Sequence, residues 1–133
     1  MGIWQACLLT VSLMGPEPND PPVMSSLINA LRDRDIEVRS YAGSALAELG
    51  SAAVDPLIVA IQDADRFQRA GAAYALGRLG GAARPAQPQL LRALSDDDRD
   101  VRRQAAYALS RLLASERDQT VAAPPPVFPS EPK

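Results

Sequence analysis

Arginine and aspartate residues recur at fixed positions along this 133-residue chain, and they are its strongest candidates for binding a charged ligand. Asp33, Asp35 and Arg39 return in the same order 30 residues later and again after a further 33 residues. Such a series of arginines could bind phosphate or carboxylate groups through paired hydrogen bonds. We favour a structural role, in which the aspartates cap helix N-termini and the arginines pair with turn carboxylates or carbonyl oxygens of neighbouring repeats. The residues of this series are Asp33, Asp35, Arg39, Asp63, Asp65, Arg69, Asp96, Asp98 and Arg102.

The chain has few of the residue types that catalysis or metal binding would use. It contains no histidine, which is the commonest general base and metal ligand. Its single cysteine, Cys7, excludes an intrachain disulfide and a zinc site made of several thiolates. The acidic run Ser95–Asp100 lacks the glycine and the distal glutamate of a helix-loop-helix calcium site, so we interpret it as a solvated helix entry. We therefore expect no enzyme activity, no bound metal and no cofactor.

Three segments of the chain align with one another without internal gaps. They are Asp35–Leu49, Asp65–Leu79 and Asp98–Leu112, and each carries apolar residues at the period of a helix. Shorter apolar segments precede them at matching offsets and predict a first helix for each unit. A lone helical hairpin cannot bury such an apolar stripe, so the units are expected to stack. In register, the stripe positions are Val38, Ala42, Ala45, Leu46 and Leu49, then Gln68, Ala72, Ala75, Leu76 and Leu79, then Val101, Ala105, Ala108, Leu109 and Leu112.

These units predict the domain organisation of the chain. We expect residues 1–20 to be a degenerate capping helix with a proline-rich linker, and residues 115–133 to be a proline-rich disordered tail. Residues 1–14 are too few to span a bilayer, and a targeting segment is the alternative to the capping helix. On the capping interpretation Cys7 is a small core residue, the alternative being a reactive thiol. The repeats cover residues 21–114, divided at about 21–50, 51–80 and 81–114.

The repeated string Asp-x-x-Val-Arg-x-x-Ala-x-x-Ala-Leu-x-x-Leu-Gly resembles the phycobilisome-lyase type of HEAT-like repeat. Asp35–Gly50 matches it at every named position, whereas Gln68 replaces the valine of the second unit and Leu113 the glycine of the third. The resemblance implies an all-α fold, a short right-handed α-solenoid of about three HEAT-like hairpins with a partial N-terminal capping helix. This class includes bilin-lyase subunits, an iron hydroxylase and bacterial scaffolds. The hydroxylase chemistry cannot transfer, because that enzyme places its iron on histidine–glutamate pairs.

One flank of the second helices forms the candidate binding surface. On a wheel at about 100° per residue it is separate from the apolar stripe, and in solenoids of this resemblance the second helices line the concave surface. Tyrosine and arginine are enriched where proteins bind proteins. Packing between repeats is the equal alternative for Tyr74 and Tyr107, and for Phe67 we favour a binding or inter-repeat role. The candidate partner-binding residues are Glu37, Tyr41, Glu48, Phe67, Tyr74, Arg78, Gln104, Tyr107 and Arg111.

The function favoured by these observations is a protein-interaction scaffold that holds a partner protein on the concave face. The partner is unidentified, and a longer HEAT-repeat subunit is one candidate. The resemblance makes an accessory subunit of a bilin lyase the alternative. Nucleic-acid binding is less favoured, because the net charge is −2 and aspartates lie beside the basic side of the third unit. The lone thiol and the lack of a membrane-spanning segment favour a cytoplasmic location, and the resemblance implies a bacterial protein.

Overall fold

The computed structural model describes residues 21–122 of the chain, and every regular element among them is helical. Three hairpins follow one another, each made of a shorter first helix and a longer second helix. No strand occurs within this range, so the predicted all-α fold is confirmed. The helices are α1 (Pro21–Ala30), α2 (Ile36–Glu48), α3 (Val54–Ala60), α4 (Arg66–Leu79), α5 (Gln87–Ala93) and α6 (Arg99–Ala122).

The second helices α2, α4 and α6 pack side by side in sequence order. α4 contacts α2 on one side and α6 on the other, while each first helix packs against the second helix of its own hairpin. Two 3₁₀ segments, Gly50–Ala53 and Gly80–Ala86, join the hairpins. The hairpins therefore stack as the repeat predicted. The predicted capping helix, including Cys7, lies outside the described residues.

A repeated aspartate turn starts each second helix. Before α2, the Oδ1 atom of Asp33 accepts a hydrogen bond from the N–H of Asp35 at 2.8 Å, and Asp35 Oδ1 accepts one from the N–H of Glu37 at 2.9 Å. The same bonds occur before α4 and α6, where the capping aspartate also accepts from a second backbone N–H. First-turn N–H groups have no partner inside the helix, so each cap contributes about 1 kcal/mol. The Asp-x-Asp spacing thus fixes where each second helix begins.

Glycine ends the first two second helices. Gly50 and Gly80 have φ angles of 68° and 59°, in the left-handed region that is costly for residues with a Cβ atom. The equivalent position of the third unit holds Leu113, and leucine favours continuation of a helix. Consequently α6 passes this position without a break.

The C-terminal part of α6 corrects the predicted boundary of the tail. The sequence predicts a disordered tail over residues 115–133, but α6 is helical as far as Ala122. This extension packs on the 3₁₀ segment that precedes α5, where Arg84 Nη2 lies 3.0 Å from Glu116 Oε1. The prediction was therefore wrong up to Ala122, and the rest of its range lies outside the described residues.

Leucine and alanine side chains fill the interior of the stack. Leu31, Leu46, Leu57, Leu76 and Leu90 are each no more than 1 % exposed. Small residues of neighbouring second helices face one another. Because the distance between packed helices depends on the side chains at the contact, these small residues allow the helices to pack closely. The buried alanines of the second helices are Ala42, Ala72, Ala73, Ala75, Ala105 and Ala108.

A glycine at the contact between α4 and α6 provides a test of this close packing. A Cβ atom on Gly77 would lie 2.7 Å from Cε1 of Tyr107 and 3.1 Å from the Cα atom of Ala108. At an exposed helix position alanine is more stable than glycine by about 1 kcal/mol. At Gly77, however, the added Cβ atom would force the backbone of α6 to shift. We expect Gly77→Ala to lower the free energy of unfolding by about 1–2 kcal/mol in urea denaturation.

The matched control for this substitution is Ser110→Ala. Ser110 occupies the position of α6 that is equivalent to Gly77 of α4, and it is exposed. Its replacement should change the free energy of unfolding by less than about 0.5 kcal/mol. A Gly77→Ala chain at least as stable as the wild type would contradict the packing of α4 on α6.

Candidate functional site

The repeated arginines hold the turns that precede their own helices. The Nη1 atom of Arg39 donates to the carbonyl oxygens of Asp33 and Arg34 at 2.7 and 2.9 Å. Arg69 and Arg102 repeat this geometry with the equivalent two carbonyls of their turns. One side of each guanidinium is thereby occupied, and its Nε and Nη2 atoms remain as donors for other partners.

A short ion pair joins the second unit to the third. Arg69 donates to Asp96 from both Nε, at 2.9 Å, and Nη2, at 3.1 Å, and both side chains are less than one-fifth exposed. Burial by itself raises the pKa of Asp96, but hydrogen bonds from Arg69 and the Asp98 N–H, with the charges of Arg69 and Arg102, lower it below its ordinary value. The hydrogen bond to Asp96 raises the pKa of Arg69. The pair therefore stabilises the stack in its ionised form.

The first two units are joined through a different arginine. Arg32 Nη2 lies 3.1 Å from Asp63 Oδ2, and Arg32 Nε donates to Gln68 Oε1. Gln68 breaks the apolar repeat pattern yet is only 5 % exposed, and its amide oxygen is satisfied by this bond. Sequence reasoning missed Arg32, although the glutamine at a valine position was the signal that a polar partner should be sought in the preceding unit.

The second helices enclose a groove near their N-terminal ends. This second-helix groove has a volume of about 170 Å³. At its middle, the guanidinium carbons of Arg39 and Arg66 each lie 4.8 Å from the centre of the Phe67 ring. Arg103 of α6 also lines it, so arginines from all three second helices reach the same depression. The lining residues are Ile36, Arg39, Ser40, Arg66, Phe67, Ala70, Gly71, Tyr74, Asp98, Asp100, Arg103 and Gln104.

The two tyrosines pack between neighbouring second helices. Tyr74 lies over Gly43 of α2, and Tyr107 lies over Gly77 of α4, in each case at a distance that leaves no room for a Cβ atom on the glycine. The two rings stack with their centroids 6.3 Å apart and their planes at 21°. Packing, which the sequence left as one of two alternatives, is therefore present for both rings, and Tyr74 in addition lines the second-helix groove.

The predicted surface residues fall into two groups. Phe67, Tyr74 and Gln104 line the second-helix groove. The others are exposed elsewhere on the second helices and line no part of it: Glu37, Tyr41, Glu48, Arg78, Tyr107 and Arg111.

Sequence reasoning missed several residues of the groove. Ile36, Arg66 and Arg103 all lie in the first two turns of their helices. The predicted binding surface ran along whole helices, whereas the groove reaches only from their first turns to Tyr74 in the middle of α4. The signal that could have found them is the charge on Arg66 and Arg103 in segments that otherwise match an apolar repeat.

A larger and more open depression lies between the first helices α1 and α3. Its volume is about 860 Å³, and most of its surface is apolar. Met24, Ile28, Pro56 and Val59 contribute side chains to it, and Arg32 is its charged member. It offers less specific chemistry than the second-helix groove, where an aromatic ring and several charges converge.

A metal site and a membrane-spanning helix are both absent from the part of the chain that the structure describes. Residues 21–122 hold no group of three or more side chains suited to bind a metal ion. None of the helices from α1 to α6 combines the length and the apolar character needed to cross a bilayer.

A comparison with known families places these repeats. A family described as HEAT repeats matches residues 24–110, from the first turn of α1 into the middle of α6. No curated protein matches the chain. The match is to HEAT repeats in general, so the resemblance to the phycobilisome-lyase type remains a prediction.

Proposed function

This chain belongs to the family of HEAT-repeat proteins, and from that premise we propose that it is a scaffold that holds a partner protein in the second-helix groove. Proteins of this family generally serve as protein-interaction scaffolds. Stacked helical repeats offer a continuous surface on which a partner can be bound by shape, a few anchoring side chains and complementary charge. The groove is the place on this surface where such side chains converge.

The observation that carries this proposal is the cluster around Phe67. The ring is half-buried, and the guanidinium groups of Arg39 and Arg66 both lie against it at 4.8 Å. Aromatic rings and arginines dominate the binding energy of protein interfaces, because they combine apolar area with directed hydrogen-bond donors. Stacking on the ring also preorganises the guanidinium groups, which reduces the entropy lost on binding.

Two arginines of the groove form only long ion pairs. Arg66 Nη1 lies 3.6 Å from Asp98 Oδ2, and Arg103 Nη1 lies 3.7 Å from Asp100 Oδ1, with both arginine side chains 64 % exposed. Ion pairs this long, with the arginine largely exposed, contribute little to stability. A partner can therefore replace these contacts at small cost.

The test is affinity capture from an extract of the source cells with the full chain as bait. We expect Phe67→Ala to reduce the yield of specifically captured partners at least tenfold, because truncating a central aromatic anchor commonly costs more than 2 kcal/mol of binding energy. Quantitative mass spectrometry measures the yield, and far-UV circular dichroism checks that the bait remains folded.

Leu91→Ala is the matched control bait. Leu91 is also a large apolar side chain, 52 % exposed, and it lies on α5 outside the second-helix groove. The control should capture the same proteins in the same amounts as the wild type. Undiminished capture by a folded Phe67→Ala bait would show that the groove is not the binding site.

A further inference from the structure

Arg39 and Arg69 are equivalent residues of consecutive units, and the same contacts orient both of them. Each donates from Nη1 to two carbonyl oxygens of the turn that precedes its helix. The other edge of the Arg69 guanidinium, formed by Nε and Nη2, binds both carboxylate oxygens of Asp96. At the junction between the second and third units, this edge therefore serves as a receptor for a carboxylate.

The same edge of Arg39 has no carboxylate partner in the part of the chain that the structure describes. The turn aspartate of the second unit, equivalent to Asp96 of the third, is Asp63. Its Oδ1 atom accepts from the Asp65 N–H, and its Oδ2 atom pairs with Arg32. Because both oxygens of this aspartate are engaged elsewhere, Arg39 keeps two parallel donors for which the later junction supplies a carboxylate and the earlier one does not.

The second-helix groove holds the Arg39 guanidinium against an aromatic ring. Its central carbon lies 4.8 Å from the centre of the Phe67 ring. A cation over an aromatic face is attracted by the ring quadrupole and needs no hydrogen bond, so Nε and Nη2 remain donors. With Nη1 bound to the turn and the ring beside it, the guanidinium is oriented before a ligand arrives, which reduces the entropy lost on binding.

The charges that line the groove leave one positive charge unmatched. Arg66 Nη1 lies 3.6 Å from Asp98 Oδ2. Arg103 Nη1 lies 3.7 Å from Asp100 Oδ1. Arg39 is the remaining charged residue of the lining, so the groove carries a single excess positive charge. A carboxylate matches this excess, whereas a phosphate ester carries about −1.5 to −2 charges at neutral pH.

The size and the position of the groove suit a single side chain of a partner. Its volume of about 170 Å³ is well below the roughly 300–1,000 Å³ of pockets that enclose a whole small molecule. Ile36 and Ala70 line it together with Phe67, so apolar contacts lie beside the arginine. Pro21 and Ala122, where the described chain begins and ends, lie at the ends of α1 and α6 that are remote from the groove.

We propose that the second-helix groove binds a glutamate or aspartate side chain of the partner, and that Arg39 receives its carboxylate. The Nε and Nη2 atoms of Arg39 donate to the two carboxylate oxygens, as those of Arg69 donate to Asp96 inside the chain. An apolar neighbour of the acidic residue packs on the Phe67 ring. This assignment rests on the proposed scaffold function and adds the chemistry of the partner, an acidic segment with an apolar side chain beside the carboxylate.

The test is a selection of random peptides displayed on phage, with the full chain as bait. We expect the selected peptides to share an acidic residue next to an apolar one. Replacing that acidic residue by its amide counterpart should weaken binding to the wild type at least tenfold, measured by fluorescence anisotropy, because two charge-assisted hydrogen bonds are lost. With Arg39→Gln the acidic peptide and its amide counterpart should bind equally, since the receptor for the charge is gone.

Arg102→Gln is the matched control variant. Arg102 makes the same two hydrogen bonds from Nη1 to its turn carbonyls, but it does not line the groove. Its replacement should leave the tenfold preference for the acidic peptide unchanged, which separates binding of the carboxylate from loosening of a turn. Arg39→Lys keeps a donor for the turn carbonyls without the paired donors, and serves in place of Arg39→Gln should that chain fail to fold. The preference should then fall below about threefold.

Failure of this assignment can be distinguished from failure of the scaffold proposal. Selected peptides that need Phe67 but bind as tightly without their acidic residue would overturn the carboxylate assignment and leave the groove as the binding site. A preference for the acidic peptide that persists in Arg39→Gln would do the same. Selected peptides that bind a folded Phe67→Ala chain as tightly as the wild type, or a wild-type chain that selects no peptide, would overturn the assignment together with the binding role of the groove.

Discussion

Replacing Leu76 with alanine should lower the free energy of unfolding by about 3 kcal/mol, one of the two largest effects expected for a single side chain in this protein. Leu76 is 1 % exposed and belongs to α4, the helix that packs on both α2 and α6. The helix backbones around it already pack closely through buried alanines. The backbones therefore cannot move further inward to fill the cavity that the truncation leaves. Far-UV circular dichroism in urea at 25 °C measures the change.

The comparison for this substitution is Leu113→Ala. Leu113 lies on α6 and is 53 % exposed, so its truncation removes the same atoms without creating a buried cavity. We expect it to change the free energy of unfolding by less than about 0.5 kcal/mol. If the two substitutions have equal effects, or if Leu76→Ala lowers the free energy of unfolding by less than about 1 kcal/mol, the contacts between the second helices are not the core of the molecule.

The repeat pattern was sufficient to predict the fold, because each step of the argument depends on residues close together in sequence. The period of the apolar stripe predicts the second helices, and the Asp-x-Asp spacing predicts where they begin. The stripe also predicts burial in the middle of the stack, where Leu46 and Leu76 are almost fully buried. It fails for Val38, which is 37 % exposed because no earlier described unit covers its helix. Position within the stack decides this exposure, and the period of a single helix carries no information about it.

Two features of the structure depend on contacts between units and could not be derived from a helical wheel. Gln68 reads as an interruption of the stripe, and its role becomes clear only when Arg32 of the preceding unit is seen to donate to it. The groove around Phe67 forms because the first turns of three helices meet, which depends on how the helices pack. A helical wheel gives the direction of each side chain about the axis of its own helix. It does not show which residue of a neighbouring helix that side chain faces.

Removing the carboxylate of Asp96 is the other substitution expected to have a large effect. Asp96→Ala should lower the free energy of unfolding by about 3 kcal/mol, because it leaves Arg69 mostly buried without its counter-charge and the Asp98 N–H without an acceptor. Asp96→Asn can still accept from that N–H, so it should cost about 2 kcal/mol. Asp97→Asn changes the same charge on the exposed neighbouring residue and should cost less than about 0.5 kcal/mol.

The stability difference between wild type and Asp96→Asn should depend on pH. This dependence separates the effect of the Asp96 charge from the effect of its side-chain shape. The pKa of Asp96 in the folded chain is lowered from its ordinary value of 3.8, so the ionised carboxylate favours the folded state. This stabilisation is fully present above the ordinary pKa and is lost as the pH falls through the folded-state pKa. The difference in unfolding free energy between wild type and Asp96→Asn should therefore stay constant from about pH 7 to pH 5 and shrink below about pH 4. A difference that persists unchanged to about pH 2 would show that hydrogen-bond geometry, and not the charge paired with Arg69, joins the second unit to the third.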